Sequence, residues 1–154
     1  MKIVIGLIII FFSLSSKGQN NQLEVIIEKS LNSYIEKRKE SIKVATIKGN
    51  LFFSTNNYPP YFNFKDTIQG IRIKYINLQD NSVYKRLKKG IGVVSLTKVE
   101  LEGSKLIIIF ARFGAKIERK NDIRMKISDS SSFIYEYSCE QQKWLLFKTE
   151  HNGI

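Results

Sequence analysis

Cys139, Trp144 and His151 are each the single residue of their type in this 154-residue chain, and they lie close together near its end. A thiol beside an imidazole is the minimum for nucleophilic catalysis, because the ring can take the thiol proton and leave an attacking thiolate. That chemistry needs more than proximity in sequence. The thiolate must be favoured by a positive charge or a helix N-terminus, and the base must be oriented by a third group. Cys139 is flanked instead by Ser138 and Glu140, and His151 has no evident orienting partner. The pair reads as structural.

Other reactive groups are scattered. Ser130, Ser131 and Ser132 read as a turn leading into a strand, without a positioned base. Glu100 and Glu102 share one strand face, where neighbouring hairpin charges are ordinarily solvated. Asp80, Asp122 and Asp129 stand apart without a calcium-loop pattern. One His and one Cys do not make a zinc site of familiar spacing. Phosphate loops, dinucleotide fingerprints and Gly-x-Ser-x-Gly elbows do not occur. These patterns point away from an enzyme and imply no metal and no cofactor.

The elements that must position these residues are mostly strands. From Gln22 to Lys39, Leu23, Ile26, Ile27, Leu31 and Tyr34 recur at three- and four-residue steps, which predicts one amphipathic helix. Short strands are expected over Ile42–Ile47 and Leu51–Ser54 around a Gly49-Asn50 turn. Ile71, Ile73 and Tyr75 alternate with Arg72 and Lys74, and Val93–Leu101 and Lys105–Phe113 form a hairpin over Glu102-Gly103-Ser104. Leu106 to Phe110 is apolar at every position, which predicts a central strand covered on both faces. Ile123, Met125 and Ile127 alternate with Arg124 and Lys126. A short helix is expected over 82–89, capped by Asp80 or Asn81 and ended by Gly90.

The final hairpin decides the fate of Cys139. Phe133, Tyr135, Tyr137 and Cys139 share one strand face. A turn centred on Gln141-Gln142 pairs Cys139 with Trp144 and Tyr137 with Leu146. Cys139 is then expected to pack as a small apolar residue beside Trp144, its thiol shielded.

Two surface features are candidate binding sites. Tyr58-Pro59-Pro60-Tyr61 belongs to the most aromatic stretch, LFFSTNNYPPYFNF, and cannot be a central strand. Its tyrosines could anchor a partner, but the favoured reading is that Phe52, Phe53, Phe62 and Phe64 plug the sheet while the prolines shape a crossover. Lys85, Arg86, Lys88 and Lys89 form the densest basic patch and could meet a polyanion. Lysine outnumbers arginine 19 to 6, whereas phosphate readers favour arginine's bidentate fork, so specific nucleic-acid binding is not expected.

Met1 and Lys2 precede an apolar run to Phe12, and Ser16-Lys17-Gly18 puts small residues at −3 and −1 before Gln19. That is the pattern of a cleaved signal peptide over 1–18, too short for a membrane span, and it offers no cysteine for a lipid anchor. The expectation is an exported protein, periplasmic or extracellular, with residues 19–154 as one domain. Loss of Lys2 and Lys17 lowers the formal net charge from +11 to +9. A single cysteine cannot close an internal disulfide, so packing alone must hold the fold.

One helix followed by a run of strands predicts an α+β domain, with the N-terminal helix packed on a curved antiparallel sheet. That order resembles cystatin-like and NTF2-like folds in outline. Tyr135-Glu136-Tyr137-Ser138-Cys139-Glu140, Lys143-Trp144 and Gly153-Ile154, with Leu87-Lys88-Lys89-Gly90-Ile91 before them, resemble the endings of a group of short exported bacterial proteins of unknown function. The resemblance implies a shared fold and export, and carries over no catalytic residue. The expected role is a non-enzymatic module that binds a macromolecule or ligand. The alternative is an NTF2-like carrier or enzyme with a pocket between helix and sheet.

Overall fold

The computed structural model describes residues 22–40, 42, 50–55, 65–119 and 122–153. Helix α1 covers residues 22–37, and helical bonding runs on: the Arg38 N–H donates to the Tyr34 carbonyl at 3.1 Å and the Ile42 N–H to the Arg38 carbonyl at 2.8 Å. Its buried stripe is Ile26, Ile27, Ser30, Leu31, Tyr34 and Ile35, the face that the apolar spacing predicts, extended through Ile42. Ile42 is thus helical rather than the start of a strand, and the rest of that expected strand lies outside the described residues.

The strands are β1 (Asn50–Ser54), β2 (Thr67–Ile68), β3 (Ile71–Ile76), β4 (Ile91–Glu102), β5 (Lys105–Arg119), β6 (Asp122–Ser138) and β7 (Lys143–Gly153). They form one seven-stranded sheet in the order β2-β3-β1-β4-β5-β6-β7. From β4 to β7 it is the antiparallel meander the sequence predicts. Before that, β1 inserts between β3 and β4 and runs parallel to both, so the sheet is mixed. The protein is α+β. The β4–β5 hairpin closes on Gly103 at φ 60°, the left-handed conformation that glycine adopts without a Cβ clash. Gln69 and Gly70, at φ 52° and 76°, close β2 onto β3 as a type I′ pair.

Alternation along the strands sorts two cores onto the two faces. Leu51, Phe53, Ile73, Val94, Leu96, Ile108, Phe110 and Phe133 meet α1 on one side. Phe52, Ile76, Ile91, Val93 and Ala115 meet Val83 and Leu87 on the other. Those last two residues belong to a 3-10 turn, Asn81–Val83, and to helix α2 (Tyr84–Lys89). Asp80 caps the turn by accepting from the Ser82 N–H at 2.8 Å, and Gly90 ends the helix at φ 79°, as the sequence predicts.

β5 is central, but only one of its faces is fully covered. Leu106, Ile108 and Phe110 are buried, whereas Ile107 and Ile109 are half-buried, because α2 covers only the other end of that face. Among the described residues no helix is long and apolar enough to cross a membrane.

Candidate functional site

Cys139 is exposed, not shielded. β6 ends at Ser138 and β7 begins at Lys143, so Cys139 to Gln142 form the turn and Gln142 takes the left-handed φ of 49°. The partner of Trp144 is Tyr137, and that of Leu146 is Tyr135. The turn is centred one residue earlier than a Gln141-Gln142 centre requires. That carries Cys139 off the end of the ladder. Cys139→Ala is therefore expected to change stability by no more than about 0.5 kcal/mol, as for ordinary surface sites. The native thiol should label rapidly at neutral pH, and slow labelling beside a destabilised alanine variant would contradict this placement.

His151 pairs with Ser131, at the opposite end of β7 from Cys139. Seven residues of strand separate Ser131 from Ser138, a distance of roughly 23 Å. The thiol and the imidazole cannot meet. The histidine has instead a partner that the sequence does not reveal: Ser131 Oγ lies 2.8 Å from His151 Nδ1. Ser130, Ser131 and Ser132 are mid-strand in β6 rather than in a turn. Ser131 is fully buried, so its hydroxyl anchors the imidazole and is not open to a substrate. Burial, then the charges of Arg38 and Lys37, hold the His151 pKa below its ordinary value.

Two residues before Ser131, on the same face, Asp129 is buried beneath α1. Arg112 Nη2 lies 2.6 Å from Asp129 Oδ2, and Arg38 Nε lies 3.9 Å from Oδ1. The Tyr34 hydroxyl donates to Oδ1 at 2.6 Å. Arg38 also donates to the carbonyls of Ser130 and Asn152, at 3.4 and 3.0 Å. Nearer the other end of α1, the hydroxyls of Ser30 and Tyr135 lie 2.8 Å apart. These contacts pin α1 to β6. The carboxylate is engaged by two cations and a phenol, which makes it a structural lock rather than a general base.

The open site lies where α1 begins. A groove of about 410 Å³ runs between the first turns of α1 and the β6–β7 hairpin, lined by Gln22, Val25, Ile26, Lys29, Lys143 and Trp144. The Trp144 ring packs edge-on against Tyr137 at 5.5 Å and partly against the α1-side core. The Trp144 side chain is half-buried. Leu101, Leu106, Tyr135 and Leu146 are successive partners across four strands, so they form one row on this same face. Leu106 and Tyr135 are buried at its centre, while Leu101 and Leu146 stand 62% and 52% exposed at its ends. Val25, at 49%, continues the apolar surface onto the helix. Gln22 Nε2 reaches the Gln142 carbonyl at 3.5 Å across one end of the groove. The charged groups lining the groove are two ammonium groups, Lys29 and Lys143.

The two candidates from the sequence fare differently. Tyr58, Pro59, Pro60 and Tyr61 lie outside the described residues. Lys85, Arg86, Lys88 and Lys89 are exposed on α2. The Arg86 guanidinium sits over the Phe52 ring at 5.2 Å, and Lys88 Nζ over the Tyr84 ring at 5.0 Å. Arg86 also lines a cavity of about 260 Å³ with Lys74, Asn77, Asp80 and Ser82, where the Asp80 carboxylate offsets the positive charge. Glu100 and Glu102 both bind Lys98, at 2.6 and 2.7 Å, and are solvated as expected. Among the described residues, no three His, Cys, Asp or Glu side chains gather as metal ligands. No family model, no curated protein and no solved structure matches the chain.

Proposed function

We propose that this is an exported binding module whose groove between α1 and the β6–β7 hairpin takes an apolar or aromatic group carrying a negative charge. The observation that supports this reading is the Trp144 groove: an apolar floor left half open, with Lys29 and Lys143 at its rim. Apolar pockets with a few placed polar groups are the usual form of ligand sites, and exposed tryptophan is a frequent binding anchor. The apolar run to Phe12 and the Ser16-Lys17-Gly18 spacing support export. A chamber between helix and sheet, as in an NTF2-like carrier, is not favoured. Tyr34, Phe53, Phe110 and Phe133 fill the middle of that interface, with ring centroids 6.0 to 6.4 Å apart.

Anilinonaphthalene sulfonate, an aromatic anion, is a suitable probe. Trp144→Ala is expected to weaken its binding by about tenfold, the usual effect of losing an aromatic anchor. Replacing Lys29 and Lys143 with glutamine should weaken it less and flatten its salt dependence. Thermal melts of each variant verify the fold. Unchanged probe affinity in a folded Trp144→Ala protein would remove the groove from consideration.

A further inference from the structure

Among the described residues the sheet has two open edges of very different length: β2 is 2 residues long and β7 is 11. A long edge presents a row of unpaired N–H and C=O groups, which is a template for another strand. Two features bound the regular part of this one. The register shifts between Ile134 and Tyr135, leaving Phe147 as the extra residue on β7. At the other end Arg38 occupies the Asn152 carbonyl. Between them lies the segment Lys148-Thr149-Glu150-His151.

We propose that this segment pairs antiparallel with the same segment of a second copy, about a two-fold axis through Thr149. The argument for a second copy is charge self-complementarity. With Thr149 opposite Thr149, Lys148 lies opposite Glu150 of the second copy, and Glu150 opposite its Lys148. Within one chain Lys148 Nζ and Glu150 Oε1 are 2.6 Å apart, so the four groups close into a ring of alternating charge. Neighbouring registers are disfavoured: an axis through residue 148 opposes two lysines, and one through 150 opposes two glutamates. Phe147 is 60% exposed in the single chain, with Lys105 Nζ over its ring at 5.0 Å. The surface is separate from the groove, and the inference does not rest on the groove's ligand.

Charge reversal separates this pairing from the salt bridge inside one chain. Lys148→Glu opposes glutamate to glutamate across the axis, and Glu150→Lys opposes lysine to lysine. Sedimentation velocity over the micromolar to submillimolar range should show a concentration-dependent dimer for the unaltered protein. Each single variant should dimerise about tenfold more weakly, since two cross-strand pairs turn repulsive. An equimolar mixture of the two variants should dimerise again, because every opposed pair is then of opposite sign. The doubly reversed protein should dimerise by itself. An unaltered protein that stays monomeric overturns the proposal, as do single variants that dimerise normally, or a mixture that stays monomeric while melts show both variants folded.

Discussion

Asp129→Ala is expected to cost about 3–5 kcal/mol of folding stability, the usual cost of removing one partner from a buried charge cluster. The Asp129 side chain is 3% exposed, and those of Arg112 and Arg38 are 15% and 20% exposed. Without the carboxylate, two guanidinium groups and the Tyr34 hydroxyl lose their common acceptor in a site with little water. Asp129→Asn should recover only part of the loss, because an amide can still accept from Tyr34 but cannot neutralise two cations. Replacing Asp129, Arg112 and Arg38 together with leucine and methionine should restore much of the stability, since apolar side chains carry no desolvation penalty. Urea melts of the three proteins decide the matter. A loss under about 1 kcal/mol for Asp129→Ala would show that the cluster is solvated in solution.

Alkaline solution should destabilise the protein through Tyr34. Burial, then the hydrogen bond to Asp129 and that residue's negative charge, raise the Tyr34 pKa far above 10.0, opposed in part by Arg112 and Arg38. The folded state therefore holds the phenolic proton more tightly than the unfolded chain does. Below pH 10 both states keep it, and the contribution to stability is complete. As pH rises past that value the unfolded chain ionises first. Stability then falls by about 1.4 kcal/mol per pH unit for this group. Tyr75, pushed up to about 12 by burial and by Asp66, and Tyr135, raised by burial, add to the same limb. Tyr34→Phe should lower stability at neutral pH by about 1–2 kcal/mol, yet make the alkaline slope shallower. Equal slopes for the two proteins above pH 10 would mean that the phenol is not locked against Asp129.

What could be read in advance follows the range of the interactions. The α1 stripe from Leu23 to Tyr34, the Asp80 cap, the Gly90 stop and the Gly103 turn are local patterns, and each stands where its residues place it. The position of Cys139 depended on the centre of one turn. A Glu140-Gln141 centre satisfies the same alternation as the expected one, so Tyr137 rather than Cys139 meets Trp144. The uniform apolar run from Leu106 to Phe110 signals a central strand, but it cannot show that α2 stops short of Ile107 and Ile109. Asp129 was least legible. Its partners Tyr34, Arg38 and Arg112 lie on other elements, and only the α1–sheet packing brings them together. The groove is likewise a product of where α1 begins relative to the hairpin, although Trp144 marks the region by its residue type.

The insertion of β1 between β3 and β4 bears on the order in which the chain can assemble. Neighbouring hairpins in β4–β7 need only short loops to close, and such contacts form early. β1 has no partner before it in the sheet; it bonds to Arg72–Ile76 and to Val93–Ser95, all of them later in the chain. During synthesis in the N-to-C direction, Leu51-Phe52-Phe53 must wait until Ser95 has emerged to gain both partners. The β3-facing edge of β1 can close once Ile76 has emerged, but until Ser95 follows its β4-facing edge stays open on an apolar, strand-forming segment, the condition under which chains add to one another. Docking of β1 on β4 then places Phe52 in one core and Phe53 in the other, so this one contact seals both faces of the sheet.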